Sequence, residues 1–222
     1  MAALVLLNVV RHALPSRTVW LSVLAAAGLL TVARCRGLTW AELGLGRDSF
    51  RSGSLWAAGA ILVVAAVYLV GVLTPATRPL FLDTRYHAGL PATLVTAFLV
   101  IPLGTVVVEE VAFRSVLWGM LARHMSTVGV LLVSSSLFGL WHVLPSLTLT
   151  SANRGLSAVA PGGGVPATVL VVLGTVAFTA LGGLVAGELR RRSGSVLASA
   201  GMHWATNALG VLFGLLAWRL PT

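Results

Sequence analysis

The chain has 222 residues, of which 57% are apolar and only 9% are charged, and its mean hydropathy is +0.95. A soluble globular domain carries about 25% charged residues, so this composition excludes a disordered chain, a coiled coil and an ordinary cytosolic enzyme. The formal net charge is +9 and all 15 basic residues are arginine, which we assign to loops that flank membrane spans rather than to a surface that binds nucleic acid.

Long apolar stretches recur along the chain, and about 20 apolar residues are needed to span the hydrocarbon core as a helix. We therefore predict an all-α fold, a polytopic integral membrane helical bundle with about six transmembrane helices, one of them kinked or broken. The kink or break is expected in the third span, which is too long for one straight crossing and contains Pro91 and Pro102. In chain order, the predicted spans are 18–33, 53–74, 90–121, 127–147, 165–189 and 195–218.

The ends of the chain and two surface features complete this outline. The apolar run at 2–10 is too short to span a membrane. Residues 1–88 are predicted to form an N-terminal two-span region and residues 89–222 the core that carries the polar motifs. Gly183-x-x-x-Gly187 predicts a close-packing surface between helices, and the run Arg190–Arg192 is interpreted as a signal for membrane orientation.

Several polar side chains fall inside the predicted spans, where a charge at a helix centre costs about 2.5–3.5 kcal/mol. Such residues indicate a partner, a water cavity or a function. Glu110 and Arg114 are four residues apart and so share a helix face and can pair, which leaves Glu109 turned about 100° away. The same four-residue spacing links Phe138 to His142, and His203 to Asn207.

The depths of these polar residues are compatible with one shared site. At a rise of about 1.5 Å per residue, Glu109, His142, His203 and Asn207 lie about 12 to 22 Å from the same membrane face. A carboxylate, two imidazoles and an amide at one depth form a polar cavity in an apolar bundle. The spacing therefore predicts a buried functional site.

Two kinds of chemistry suit that set of side chains. In the first, the carboxylate acts as a general base on water, one imidazole shares that water, and the second imidazole and the amide stabilise an oxyanion. In the second, Glu109, His142 and His203 are three zinc ligands with an open fourth position. Spacing alone does not choose between them.

Taken together, Glu109-Glu110-x-x-x-Arg114, Phe138-x-x-x-His142 and His203-x-x-x-Asn207 resemble the motifs of the CAAX protease and bacteriocin-processing family. This family, also called the abortive-infection family, contains intramembrane endopeptidases related to the type II CAAX prenyl endopeptidase. The resemblance covers residues 90–218, and the three motifs occur in the family's order, each on a predicted span. One motif alone is weak, but the set is specific.

The resemblance implies a role for each motif residue. Glu109 matches the catalytic glutamate that activates water and His142 its partner, while His203 and Asn207 match the pair assigned to oxyanion stabilisation. Members have been described both as metalloproteases and as metal-independent glutamate proteases, so a bound zinc stays open as a cofactor. Glu110 and Arg114 are assigned supporting roles. Phe138 is assigned a packing role along the substrate path.

The resemblance also implies the surroundings of the enzyme. We expect a multi-pass protein of the plasma membrane of a prokaryote, acting in the lipid bilayer on a membrane-associated peptide or protein, with no nucleic-acid partner. The expected reaction is hydrolysis of a peptide bond near the membrane face. Whether the substrate is prenylated is left open.

Non-enzymatic alternatives remain at this stage. The protein could be a membrane scaffold, an immunity protein or a regulatory protein that binds a peptide in the same cavity without cutting it. Glu110 and Arg114 could form an ion pair that only fixes helix packing. A small transporter is a third hypothesis, but the sequence lacks the inverted repeats and paired broken helices expected of one.

Overall fold

A computed structural model of the chain describes residues 2–13, 18–84, 87, 89–159 and 164–220. These residues form helices joined by short turns, and they contain no β-strand beyond one isolated bridge between Asp83 and Asn153. The principal helices are α1 (Ala2–Ala13), α2 (Thr18–Cys35), α3 (Phe50–Leu73), α4 (Leu90–Leu121), α5 (Thr127–Trp141), α6 (Gly164–Ser193) and α7 (Val196–Ala217).

Shorter helices complete the connections. Single 3₁₀ turns lie before and after α3, at Arg47–Ser49 and Arg78–Phe81. Three short helices follow α5, at Val143–Ser146, Leu149–Ala152 and Arg154–Val159.

The helix lengths confirm a multi-pass membrane bundle. Within the described residues, five helices are long and apolar enough to cross a membrane, namely α2, α3 with its preceding turn, α4, α6 and α7. The N-terminal run forms α1, which has 12 residues and is too short to span, as predicted.

The fourth predicted span ends earlier than expected. α5 has 15 residues, about 22 Å of helix, and stops at Trp141 instead of continuing to residue 147. Its start is capped by Ser126, whose side chain accepts a hydrogen bond from the N–H of Gly129. Pro145 supplies no N–H to the Trp141 carbonyl four residues earlier, which favours the end of the regular helix there.

The predicted irregularity of the third span takes the form of wide turns rather than a break. α4 is continuous over 32 residues but contains π-helical segments at Thr96–Val100, Pro102–Val106 and Val111–Leu117. Pro102 has no N–H for a carbonyl of the preceding turn, which favours a different hydrogen-bond register there. A fourth wide segment, Ala205–Leu209, lies in α7.

Every wide segment receives a hydrogen bond from a side chain of another helix. Wide turns disturb the regular pairing of backbone carbonyls, and the hydrocarbon core offers no water to replace it. Side chains of α2, α3, α5, α6 and α7 supply the donors. The bonds are Trp204 Nε1 to the Ala97 carbonyl (3.0 Å), Ser22 Oγ to Gly104 (2.6 Å), Ser134 Oγ to Phe113 (3.1 Å), Arg190 Nε to Arg114 (3.3 Å) and Tyr68 Oη to Thr206 (2.8 Å).

Arg190 differs from its two neighbours in the arginine run. Its side chain is buried, and its Nη2 donates to the carbonyl of Glu42 at 3.0 Å. The guanidinium packs over Gly44, where a Cβ would lie 2.3 Å from Nε of Arg190. Arg191 and Arg192 instead lie at the surface. Arg190 therefore links three parts of the bundle, a role that the interpretation as an orientation signal did not include.

The loop that Arg190 contacts is also held to the end of α4. Arg123 Nε donates to Oε1 of Glu42 at 2.8 Å, and Arg123 Nη2 donates to the carbonyl of Gly37 at 2.8 Å. Hydrogen bonds from Arg123 and then from Thr39 lower the pKa of Glu42 to about 2. The carboxylate therefore stays ionised, and the contact stays intact, at any pH well above 2.

Small residues allow the helices to approach closely. A Cβ on Gly183 would lie 3.1 Å from Cα of Ser135, and one on Gly187 would lie 2.7 Å from Cδ2 of Leu131. This confirms the predicted packing surface on α6, which contacts α5. Helices of the predicted N-terminal region, residues 1–88, pack directly against helices of the predicted core, residues 89–222. A boundary at residue 88 stays a prediction.

Replacing Gly53 by alanine is expected to destabilise the bundle by about 1–3 kcal/mol, because the added Cβ would lie 2.5 Å from Cβ of Ser195 at the start of α7. Gly59→Ala in the same helix meets nothing within 4 Å and is expected to be neutral or to stabilise by up to about 1 kcal/mol. Thermal unfolding of both variants in detergent measures the difference. Equal melting temperatures for the two variants would contradict the close packing of α3 on α7.

Candidate active site

Three helices bring the polar motifs of the sequence together inside the bundle. Glu109 and Glu110 lie on α4, in the single α-helical turn Val107–Glu110 between two wide segments. His142 directly follows the end of α5, and His203 lies in the first half of α7. The Oε2 atom of Glu109 lies 3.7 Å from Nε2 of His203 and 3.9 Å from Nε2 of His142. The predicted convergence of Glu109, His142 and His203 is therefore observed.

The Glu109 carboxylate is almost fully buried, with 4% of its side chain exposed, whereas His142 is 19% exposed. Both separations to the imidazoles exceed the length of a direct hydrogen bond, which is about 2.7–3.2 Å. The two Nε2 atoms thus both approach one oxygen of the buried carboxylate without bonding to it directly. Of the three side chains, that of His142 is the most exposed.

The end of α5 fixes the ring of His142. Its backbone N–H bonds to the carbonyl of Gly139 at 3.0 Å, one residue closer than in a regular α-helix. The carbonyl of Phe138 is instead 2.8 Å from Nδ1 of the His142 ring. A carbonyl only accepts hydrogen bonds, so Nδ1 carries the proton, and Nε2 of the neutral ring is an acceptor facing Glu109.

Glu110 forms a separate buried charge network beside Glu109. Its Oε1 lies 3.4 Å from Nη1 of Arg114, as the four-residue spacing predicted, and 2.9 Å from Nδ1 of His203. Glu110 and Arg114 are each only 1% exposed. An ionised carboxylate only accepts, so Nδ1 of His203 donates to Glu110. The ring orientation of His203 is thereby set, and its Nε2 is directed to Glu109.

Phe138 lies at the centre of the cluster. The Arg114 guanidinium carbon sits 3.9 Å from the ring centroid of Phe138, a cation–π contact. The ring also meets the imidazoles of His142 and His203 edge-on, with centroids 4.7 and 5.8 Å apart. Phe138 therefore separates the charge network from the apolar core and packs both histidines. Its predicted position along the substrate path stays a prediction.

Asn207 lies four residues after His203, within the wide segment Ala205–Leu209 of α7. It is partly exposed, in contrast to the buried His203. The hydroxyl of Tyr68 holds the backbone of this segment through the Thr206 carbonyl. The role of Asn207 in oxyanion stabilisation stays a prediction.

The donor atoms are spaced more widely than in an ideal tetrahedral zinc site. Two ligand atoms of a tetrahedral zinc, each about 2.0–2.1 Å from the metal, lie about 3.3–3.4 Å apart. The corresponding separations here are 3.7 and 3.9 Å. In the part of the chain that the structure describes, no group of three or more His, Cys, Asp or Glu side chains is arranged to hold a metal ion. The metal-free alternative fits these separations better, and zinc ligation by Glu109, His142 and His203 stays a prediction.

The sequence motifs missed two residues that support this site. Ser134 and Arg190 donate to the carbonyls of Phe113 and Arg114, in the wide segment that follows Glu110. Ser134 was recognisable only as a small polar residue in an apolar helix. Arg190 was hidden in a run of three arginines, of which it alone is buried.

Comparison with known proteins gives one match. A model of the family described as type II CAAX prenyl endopeptidase, Rce1-like, matches residues 91–209, just over half of the chain. The matched region contains all three motifs that converge at the site. No curated protein and no solved structure gives a significant match.

The buried pair Glu110–Arg114 can be compared with Glu188–Arg192, an ion pair of the same spacing at the surface. Arg114→Met is expected to lower the free energy of unfolding by about 3–5 kcal/mol, because it leaves Glu110 as a buried charge without its arginine. Arg192→Met removes one of the two exposed arginine partners of Glu188, the one four residues away, and is expected to change little. Chemical or thermal unfolding in detergent measures both. Similar losses in the two variants would refute a special role for the buried pair.

The donor spacing predicts that the purified protein holds no stoichiometric zinc and that a chelator changes neither its activity nor its melting temperature. Elemental analysis and thermal unfolding with and without a zinc chelator test this. One zinc per chain that disappears in His142→Ala would contradict it and would restore the zinc-ligand interpretation.

Proposed function

The chain belongs to the Rce1-like family of type II CAAX prenyl endopeptidases, and from that premise we propose that it hydrolyses a peptide bond with a water molecule activated by Glu109. The observation that carries this proposal is the approach of two imidazole Nε2 atoms to the same carboxylate oxygen of Glu109, at 3.7 and 3.9 Å. A water about 2.8 Å from the carboxylate oxygen and from an imidazole nitrogen fits such separations.

Glu109 and His142 would prepare the water for attack. Both present acceptor atoms, the carboxylate oxygen and the unprotonated Nε2 of His142, so each takes one hydrogen bond from the same water. The oxygen lone pair then points to the carbonyl carbon of the substrate. As the C–O bond forms, one water proton passes to Glu109 and the carbonyl electron pair moves to oxygen.

His203 and Asn207 would stabilise the resulting oxyanion. Nδ1 of His203 donates to Glu110, which leaves Nε2 as the ring nitrogen available to the substrate. Nε2 can donate a hydrogen bond to an oxyanion when the ring carries two protons. The side-chain amide of Asn207, four residues further along α7, supplies a second donor.

The second half of the reaction returns the enzyme to its starting state. The tetrahedral intermediate collapses, the C–N bond breaks, and the proton held by Glu109 passes to the leaving nitrogen. The products are a carboxyl group, which keeps the second water proton, and an amine. No covalent enzyme intermediate is needed.

The proposed substrate is a membrane-associated peptide or protein, because the site lies among membrane-spanning helices. We place the enzyme in the plasma membrane of a prokaryote, and the support for that location is the resemblance to bacteriocin-processing relatives alone.

Glu109→Gln is expected to lower kcat by about 10²–10⁴-fold, because the amide keeps the shape of the side chain but cannot take a proton. A panel of hydrophobic peptides in liposomes, with and without a prenyl group, is incubated with the wild type and the variant. Product is measured by mass spectrometry, and peptide binding is measured in parallel.

Glu188→Gln is the matched control, since Glu188 is an exposed carboxylate on α6. It is expected to cleave as the wild type does. Wild-type protein that binds peptides without cleaving any of them, with binding unchanged in Glu109→Gln, would favour the scaffold or immunity alternative. Cleavage by Glu109→Gln at the wild-type rate would eliminate the proposed mechanism.

A further inference from the structure

The N-terminal helix α1 lies outside the region matched by the family, yet it contacts the short helix Val143–Ser146 and, through Asn8, the last residue of α5. Residues 2–10 contain one polar side chain, Asn8, and it is buried at 9% exposure. Its neighbours Leu6 and Val9 are exposed. Leu7 packs against the apolar cluster that includes Phe138 and Trp141. The polar residue of an otherwise apolar segment therefore faces the protein.

Asn8 makes a specific contact with the last residue of α5. Its Nδ2 donates to the carbonyl of Trp141 at 2.8 Å. In a regular α-helix this carbonyl accepts from the N–H of the residue four positions later, which here is Pro145 and has no N–H. Asn8 thus supplies a donor to a carbonyl that the residue four positions later cannot serve.

The accepting carbonyl belongs to the peptide unit that carries His142. That unit consists of the Trp141 carbonyl and the His142 N–H, and the N–H is held by the Gly139 carbonyl at 3.0 Å. Asn8 holds the other polar group of the same rigid plane. With both ends fixed, the position of the His142 Cα is defined, and the Nδ1 contact with Phe138 then orients the ring.

We propose that Asn8 is a positioning residue for hydrolysis, which holds the Trp141–His142 peptide so that Nε2 of His142 stays directed to Glu109. The inference rests on the proposed function, because it assigns Asn8 an effect on the same water-activating pair. It also gives α1 a role in the reaction, although α1 lies outside the family's matched region.

The test compares Asn8→Leu with Asn8→Gln and Leu6→Ala. Asn8→Leu removes the donor with little change in size, and leucine is well tolerated in a membrane helix. Because small displacements of reacting groups have large effects, kcat is expected to fall by about 10- to 100-fold with KM little changed. Asn8→Gln keeps an amide and is expected to retain most of the activity. Leu6→Ala alters the exposed face of α1 and is expected to behave as the wild type.

A second measurement separates positioning from general stability. NMR of protein with ¹⁵N-labelled histidine reports the ring nitrogens of His142 and His203. Asn8→Leu is expected to shift the His142 signals and to leave those of His203 in place. A merely structural role would lower the melting temperature without moving the His142 signals or kcat of the folded protein.

Two results would overturn the proposal that Asn8 positions His142. Unchanged kcat with unchanged His142 signals would overturn the proposal. So would a rise in KM at constant kcat, which would put Asn8 in contact with substrate instead. If the wild type cleaves no peptide, the proposed function has failed, and the His142 signals alone then decide the positioning: a shift in Asn8→Leu supports it and no shift refutes it.

Discussion

Four wide helical turns place irregular backbone inside a membrane bundle, where carbonyl groups can be satisfied only by the protein itself. That constraint links all the spanning helices, because each wide segment accepts a hydrogen bond from a side chain of a neighbouring helix. The two wide segments next to the site receive their bonds from α2, α5 and α6. The glutamate-bearing turn of α4 is therefore held in place from both sides.

The two adjacent glutamates perform different tasks because their surroundings differ. Glu110 is neutralised by Arg114 and orients His203, and its charge is thereby committed to structure. Glu109 faces the two Nε2 atoms instead. Phe138 packs against both histidines and the arginine, so one aromatic ring shields the ion pair while leaving the imidazole nitrogens directed to Glu109.

Much of this site was predictable from spacing. Helical periodicity placed Glu110 opposite Arg114, and apolar run lengths placed three separate motifs at compatible depths, where they do converge. The wide turns were not predictable, because winding depends on packing between helices, and only Pro102 signalled an irregular register. The burial of Asn8 depends on a contact with a residue 133 positions away, which no local pattern in the sequence records.

α5 contains only 15 residues, so it is about 8 Å shorter than a hydrocarbon core of about 30 Å. Such a hydrophobic mismatch is relieved when the bilayer thins around the short helix and headgroups move inward. His142 directly follows this end of α5, so thinning there would bring the lipid–water boundary closer to the level of the candidate site. For the hydrolysis proposed above, this would shorten the path by which a headgroup-bound polypeptide and water reach Glu109.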